Sequence, residues 1–316
     1  MKEKVYIGID TSNYTTSLAI IGEKSGLLAN LKQPLPVKAG ERGLRQSDAV
    51  FAHTVNMPLL MEKAKEILAD KTPVCIGVSS KPRNESGSYM PCFLVGCAVA
   101  ESLSAFLSVP LYKFSHQCGH IMAAIYSSGR YDIMDSTFGA FHVSGGTTEL
   151  VRASFADNEF RTEIVGGTSD LNAGQVIDRI GVYLGLQFPA GAALEKLALE
   201  NDKKLPRKRI SASSTYVNLS GLENLSIKLY GETGDKSLVA AFVFDYIGRS
   251  IIEMISAYEA RYGSSNFVFA GGVMCNSIIK RMINQGRNDA FAEPALSADN
   301  AVGIAVLAMR KYMSER

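Results

Sequence analysis

His116 and His120 stand four residues apart in Phe114-Ser-His116-Gln-Cys-Gly-His120, and they are half of the four histidines in this 316-residue chain. Residues i and i+4 of a helix share a face, so both imidazoles can reach one metal ion. The alternative use of such a pair is capping or packing near a strand end, and histidine ligands are told apart from it by the partners they keep. Two further segments carry chemistry of another kind. Val5-Tyr-Ile-Gly-Ile-Asp-Thr-Ser12 and Phe138-Gly-Ala-Phe-His-Val-Ser-Gly-Gly146 each run from an apolar strand into a turn of small and hydroxyl residues, and a second strand follows. Such turns aim backbone N–H groups and hydroxyls at one spot, which suits a phosphate. Lys203-Lys-Leu-Pro-Arg-Lys-Arg209 places five basic residues in seven, either as a solvated loop or as a phosphate-contacting patch.

The elements that must position these groups read as α/β. The two hairpins, Val5–Ser12 with Thr16–Ile21 and Phe138–Gly146 with Thr148–Arg152, are joined by a third apolar strand, Asn266–Val273, after which a helix starts at Asn276. Helical spacing of apolar residues runs over Ser47–Leu68, Pro91–Leu107, Asn172–Leu184, Leu238–Tyr262 and Ala298–Tyr312. Hairpins alternating with long helices imply two similar halves. Turn formers in Ser127–Asp135 interrupt the pattern and mark a boundary, giving domains over 1–130 and 131–316, with the final helix able to return to the first half.

Composition sets bounds. Length favours about two domains, and 47% apolar with 20% charged residues is a globular balance. A net charge of +2 supplies no global field for nucleic acid, so any RNA contact must come from a local patch or a partner. Cys75, Cys92, Cys97, Cys118 and Cys275 contain no CxxC pair and leave one over, which reads as reduced thiols in a cytoplasmic protein. Met1-Lys-Glu-Lys-Val-Tyr-Ile enters a strand pattern without a signal-peptide core. Cys92–Tyr112 carries Glu101 as its only charge, but its serines and Pro110 read as a buried helix running into a strand rather than a membrane span.

With these residues in view, the chain is similar to the actin, Hsp70 and sugar-kinase superfamily, whose fold (ASKHA) is two RNase H-like α/β domains with a cleft between them. More narrowly, it resembles the TsaD/Kae family, the tRNA threonylcarbamoyladenosine transferases once named O-sialoglycoprotein endopeptidases (Gcp). Seven motifs carry the resemblance in order: Gly8-Ile-Asp-Thr-Ser12, His116-Gln-Cys-Gly-His120, His142-Val-Ser-Gly-Gly146, Ala173-Gly-Gln-Val-Ile-Asp178, Leu219-Ser-Gly-Leu222, Ala270-Gly-Gly-Val-Met-Cys-Asn276 and Ala298-Asp-Asn300. The resemblance implies that His116, His120 and Asp299 ligate one iron or zinc ion. Two imidazoles and a carboxylate do suit such a metal and leave positions open for substrate; an N-cap is the commoner use of an aspartate placed like Asp299. It also assigns Ser12, Val143, Ser144, Gly145, Gly146, Asp178, Gly191 and Asn276 to an adenylate (threonylcarbamoyl-AMP, or ATP or AMP), with Ser144, Gly145 and Gly146 facing the reacting phosphate and acyl region. Asp178 would accept from ribose hydroxyls, or be a surface helix charge. Asn276 would offer its amide to the base or ribose, and Gly191 would allow close backbone approach, or be a plain turn. The implied reaction moves a threonylcarbamoyl group from threonylcarbamoyl-AMP, bound between the domains, to the N6 amine of the tRNA adenosine beside the anticodon. Expected partners are tRNA, a smaller paralogue of the same fold and an ATPase subunit, with no membrane.

Three features depart from the family pattern. Where the family reads Thr-Ser-Cys-Asp-Glu-Thr, this chain has Thr11-Ser-Asn-Tyr14-Thr15-Thr16, and a phenol does not replace a carboxylate base at neutral pH. The Gly-Pro-Gly loop becomes Ser79–Pro91, with Lys81 and Arg83, and the Ser-Gly-Leu-Lys motif ends in Glu223. These departures make a divergent paralogue the alternative: a nucleotide- and metal-binding protein that is non-catalytic or regulatory, or that carbamoylates another acceptor. A small-molecule carbamoyltransferase or kinase is a third option, but a kinase needs a carboxylate base and only Asp10 offers one. A metallopeptidase is excluded, because Gln117 stands where HExxH enzymes carry their glutamate base.

Overall fold

The computed structural model describes residues 2–12, 14–36 and 44–316; Asn13 of the first turn lies outside them. The chain divides into two compact units, one of Met1–Tyr131, Phe155–Arg161 and Ala295–Arg316, the other of Asp132–Ser154 and Thr162–Pro294.

In the first unit β1 (Glu3–Ser12), β2 (Thr15–Gly22), β3 (Gly26–Pro34), β4 (Lys71–Lys81) and β5 (Leu111–Ser115) form a sheet in the order β3-β2-β1-β4-β5. β1, β2 and β3 are antiparallel neighbours, while β4 and β5 run parallel to β1. β1 sits in the middle and is buried on both faces from Val5 to Ser12, which explains its nearly unbroken apolar run. The one acid of that buried run, Asp10, is fully buried. Helices α1 (Gln46–Leu68), α2 (Phe93–Leu107), α3 (His116–Ser128) and α10 (Val302–Ser314) complete the unit. α2 was expected to be a buried helix and is only half so. Gly96 and Ala100 face the sheet, while Leu94 and Phe106 are exposed. Small residues let α2 approach β1 closely, so its long side chains are left outside. No described helix is long and apolar enough to cross a membrane.

The second unit carries β6 (Phe138–Val143), β7 (Thr148–Ala156), β8 (Glu159–Thr168), β9 (Ala212–Ser213), β10 (Tyr216–Val217), β11 (Phe267–Ala270) and β12 (Ala290–Phe291), in the order β12-β11-β6-β7-β8-β10-β9. β6 and β7 are an antiparallel hairpin, and β11 lies parallel to β6. Around this sheet come α4 (Ala173–Tyr183), α5 (Gly191–Leu199), α6 (Ser220–Thr233), α7 (Lys236–Tyr262) and α8 (Ser277–Ile283), and the single turn α9 (Pro294–Ser297) leads back into the first unit. α7 supplies much of the core through Phe242, Phe244, Ile251, Met254 and Tyr258.

One close approach positions the first unit's chemistry. A Cβ added to Gly303 of α10 would collide with the Gly119 carbonyl oxygen and lie 2.7 Å from the Ala123 nitrogen, both on α3. Gly8 of β1 meets α10 in the same way, with Ala305 N 2.6 Å from a built Cβ. α10 is therefore pressed onto β1 and α3 at backbone contact. Gly303→Ala should lower stability by about 1–3 kcal/mol through overpacking and move the segment before α10; denaturant unfolding with an unchanged midpoint would refute this.

Candidate functional site

Ser115 caps α3, its Oγ accepting from Cys118 N at 3.3 Å, so the helix begins at His116 and His120 falls one turn further on. The two rings meet edge to face with centroids 4.4 Å apart, and their Nε2 atoms are 3.0 Å apart. Asp299 completes the group. Its Oδ1 lies 3.3 Å from His120 Nε2 and 3.6 Å from His116 Nε2. The N-cap alternative for Asp299 fails, since Ala301 is the N-cap of α10 and the side chain that braces the helix start is that of Asn300: its Oδ1 accepts from Val302 N at 2.9 Å, and its amide donates to the Leu296 and Ala298 carbonyls. With the following residue so fixed, the Asp299 carboxylate is left to face the histidines.

Behind His116 stands Asp10, whose Oδ2 is 2.7 Å from His116 Nδ1. The same carboxylate accepts from the Ser79 hydroxyl of β4 and, at 2.9 Å, from Ser12 N. Nδ1 therefore carries the proton and donates it to Asp10, leaving the Nε2 lone pair of His116 for a metal. Charges follow the same geometry. Burial opposes charge on both carboxyls, yet His116 holds Asp10 low and the two histidines hold Asp299 well below the usual carboxylate range. Burial also disfavours a charged His116, but Asp10 and Asp299 overcome it and bring its pKa up to about 10. His120 is lowered by burial and by the charge on His116.

This donor set fits a divalent transition metal. Two nitrogens each about 2.0–2.1 Å from one ion lie roughly 3 Å apart, as these do. The three ligand atoms lie within 4.8 Å of one another. Asp10 is no longer a candidate kinase base, because its carboxylate is fully buried and engaged by three donors.

Of the residues expected at the adenylate, Val143, Ser144, Gly145, Gly146, Asp178, Gly191 and Asn276 lie in the second unit, while Ser12 ends β1 in the first. Ser144 N donates to Thr147 O at 2.8 Å and closes the β6–β7 turn, so this N–H is not available to a phosphate. Gly174 N donates to Ser144 O, and a Cβ on Gly174 would lie 2.6 Å from Gly145 Cα, so α4 starts hard against the turn. A Cβ on Gly145 or Gly146 would meet nothing, which leaves the outer side of the turn open. Asp178, on α4, is half-buried with its pKa raised by burial, and Oδ1 accepts from Ala190 N beside Gly191 at 2.8 Å. It is thus not a simple surface charge. Gly191 opens α5, with only Ile177 near a built Cβ. Asn276 Oδ1 accepts from Ile278 N and Ile279 N, capping α8 and leaving its Nδ2 as the group free to donate. Glu195 of α5 accepts from Ser277 N and Oγ, joining α5 to α8. Sequence reasoning missed Glu195, Ser79 and the orienting role of Asp10. Only Asp10 had a signal, an acid inside an apolar strand.

The departures also find places. Glu223 pairs with Arg179 at 3.0 Å, which accounts for the reversed charge. In the Ser79–Pro91 loop, Pro82 O accepts from Gln117 N at the start of α3. Tyr14 is 40% exposed at the hairpin end. In the basic stretch Lys203 pairs with Asp235, while Lys204, Arg207, Lys208 and Arg209 are exposed.

A family model described as TsaD, tRNA N6-adenosine threonylcarbamoyltransferase, matches residues 43–306. The chain belongs to this family. The TsaD-family protein named tRNA N6-adenosine threonylcarbamoyltransferase from Geobacter sp. (strain M21) is 27% identical over 315 residues, covering 95% of this chain and 89% of that protein. Among solved structures, full-length HypF in a phosphate- and nucleotide-bound form aligns with TM-score 0.61 at 12% identity, over 98% of this chain and 56% of that one. A ROK family glucokinase from Streptomyces griseus aligns with TM-score 0.53 at 14% identity, over 97% and 99%. These likenesses show the fold, which is the actin, Hsp70 and sugar-kinase one. This TsaD-family chain is an enzyme of the transferase class, not a peptidase.

His116→Ala should abolish metal retention, and a stoichiometric ion in the folded variant would refute the ligand assignment. Asp10→Asn should weaken metal affinity about 10- to 100-fold by releasing the His116 ring, measured by chelator competition. Because a proton competes for His116 below about pH 10, metal affinity should fall as pH falls; equal affinity at pH 6 and pH 8 would contradict this.

Proposed function

We propose that the protein transfers a threonylcarbamoyl group from threonylcarbamoyl-AMP to the N6 amine of the tRNA adenosine beside the anticodon, with one iron or zinc ion. The observation that carries the reading is the convergence of His116, His120 and Asp299, backed by Asp10. Family membership supplies the reaction class.

His116, His120 and Asp299 would hold the ion, which when bound supplies charge stabilisation to acyl and phosphate oxygens. The Asp10 carboxylate keeps the proton of His116 on Nδ1 throughout, so Nε2 stays directed at the ion. Val143, Ser144, Gly145 and Gly146 take the phosphate region, where the missing side chains of the two glycines admit a ligand to backbone distance. Asp178 has one oxygen left for ribose hydroxyls, and Asn276 offers Nδ2. Ser12 joins the adenylate set from the end of β1. The adenosine amine attacks the carbamoyl carbon, loses a proton, and AMP leaves with the electrons of the C–O bond.

Partners follow from the same reading. Phe51, Val55 and Leu59 are exposed one turn apart on α1, an apolar stripe that suits a protein partner such as a smaller same-fold paralogue or an ATPase subunit. Lys204, Arg207, Lys208 and Arg209 suit tRNA phosphates. Cytoplasmic location is part of the proposal.

Tyr14, standing where the family carries a carboxylate, makes transfer itself the step to test. The deciding experiment supplies labelled threonine and unmodified tRNA to an otherwise complete pathway with this protein as the only transferase. Metal-dependent label on the tRNA, lost in His116→Ala, is expected. A folded protein that binds metal and adenylate but transfers no label, and gains activity with Tyr14→Asp, would establish the non-catalytic reading instead.

A further inference from the structure

The basic stretch Lys203–Arg209 is held in place along its length by α7. Lys203 Nζ pairs with Asp235, the N-cap of that helix, at 2.6 Å. Further along α7, Arg249 Nη1 donates to Lys208 O at 2.8 Å. Tyr246 donates its hydroxyl to Arg209 O and accepts from Ser211 N, each at 3.4 Å. Asp235 and Arg249 lie about 20 Å apart along the helix, so the stretch is drawn out beside it. Leu205 and Ile210 pack on the core of the second unit. Lys204, Arg207, Lys208 and Arg209 are exposed and form no ion pair among the described residues. The result is a row of cations on a backbone already ordered before any ligand arrives.

The stretch leads into the hairpin of β9 and β10. Tyr216 of β10 is 41% exposed, and its side chain makes no hydrogen bond or ring contact among the described residues. Strand register locates it. Tyr216 pairs with Gly167 of β8, and a Cβ built on Gly167 would lie 2.6 Å from the carbonyl oxygen of Thr148 on β7. With strands about 4.8 Å apart, Tyr216 stands roughly 10 Å across the sheet from Thr148. Thr148 follows directly on the turn that Ser144 N closes onto Thr147 O. The ring is thus on the sheet edge beside the turn expected to take the adenylate phosphate. An exposed aromatic ring next to a row of unpaired cations suits a single nucleic-acid strand, whose phosphates meet the cations while a base meets the ring. A duplex keeps its base faces stacked inside and offers only its phosphates.

We propose that Lys204, Arg207, Lys208 and Arg209 hold successive phosphates of one RNA strand, and that Tyr216 stacks on an unpaired base of the loop carrying the target adenosine. This rests on the tRNA reading of the function. It adds that the second unit itself grips the acceptor, and that it does so in the single-stranded part.

The test measures the affinity of the metal-loaded full chain, over a range of salt, for two RNAs: a hairpin bearing the unmodified anticodon loop and a duplex of the same length. Wild type is compared with Tyr216→Ala and with a fourfold variant carrying Lys204→Ser, Arg207→Ser, Lys208→Ser and Arg209→Ser. Metal content and threonylcarbamoyl-AMP affinity should stay at wild-type values in both variants. The fourfold variant should flatten the fall of log affinity with log salt on the hairpin by about 3, from four phosphate contacts at roughly 0.7 each, and should weaken the duplex too. Tyr216→Ala should bind the hairpin about tenfold more weakly and the duplex as well as wild type does, and Tyr216→Phe should restore the hairpin. An unchanged salt slope in the fourfold variant would show that these cations meet no RNA. Equal effects of Tyr216→Ala on both RNAs, including none, or no recovery in Tyr216→Phe, would show that the ring stacks on no base. Each of these overturns the proposal while leaving the function standing. A wild type that binds neither RNA overturns it as well, and overturns the tRNA reading too if no tRNA is labelled in the complete pathway.

Discussion

Backbone contact between α10 and α3 is the constraint on which the first unit's chemistry depends. Gly303 touches the carbonyl of Gly119, one residue before His120, so no side chain separates the helices where the ligands converge. The stretch before α10 is braced by the three hydrogen bonds of Asn300. Asp299 is therefore placed by packing and capping, with no part in either. A longer residue at 303 would separate a carboxylate from two imidazoles that make sense only together.

From that contact the electrostatics follow in layers. Asp299 and the histidines set one another's charge, and Asp10 sets the tautomer of His116 from the far side. Ser79 and the Ser12 amide then satisfy Asp10. Each layer comes from a different strand or helix, and each would be costly alone, since a buried carboxylate needs its donors and a buried imidazole needs its acceptor. Together they form one buried polar network in an otherwise apolar unit. The second unit works differently. Its residues are held by turn closure and helix caps, as in Ser144, Asn276 and Glu195, with little reliance on charge.

Much of this was legible in the chain. The hairpins, long helices and α/β class follow from periodicity, and the histidine pair follows from spacing on one helix. Local signals end there. Nothing near His53 marks it, because its side-chain partner, Thr16, lies on a strand distant in the chain. Asp10 was visible as an odd acid in an apolar strand, but its service to His116 depends on β1, β4 and β5 lying side by side. For Asp299 a helix cap stood beside the ligand reading, because sequence does not say that Ala301 takes the cap and Asn300 braces the helix start. The apolar residues of α2 promised burial on both sides, whereas Gly96 and Ala100 claim the sheet and leave Leu94 and Phe106 outside.

The first unit is also discontinuous: Met1–Tyr131 must wait for Ala295–Arg316. During synthesis the early segment is made long before the helix that closes over Gly8 of β1, with more than half the chain still to come. Closing so long a loop costs chain entropy that local contacts do not offset in advance, and it slows folding. The nascent first unit thus waits with an apolar floor uncovered and two histidines lacking their carboxylate. Assembly of His116, His120 and Asp299 into one group is consequently a late event that follows synthesis of Ala295–Arg316.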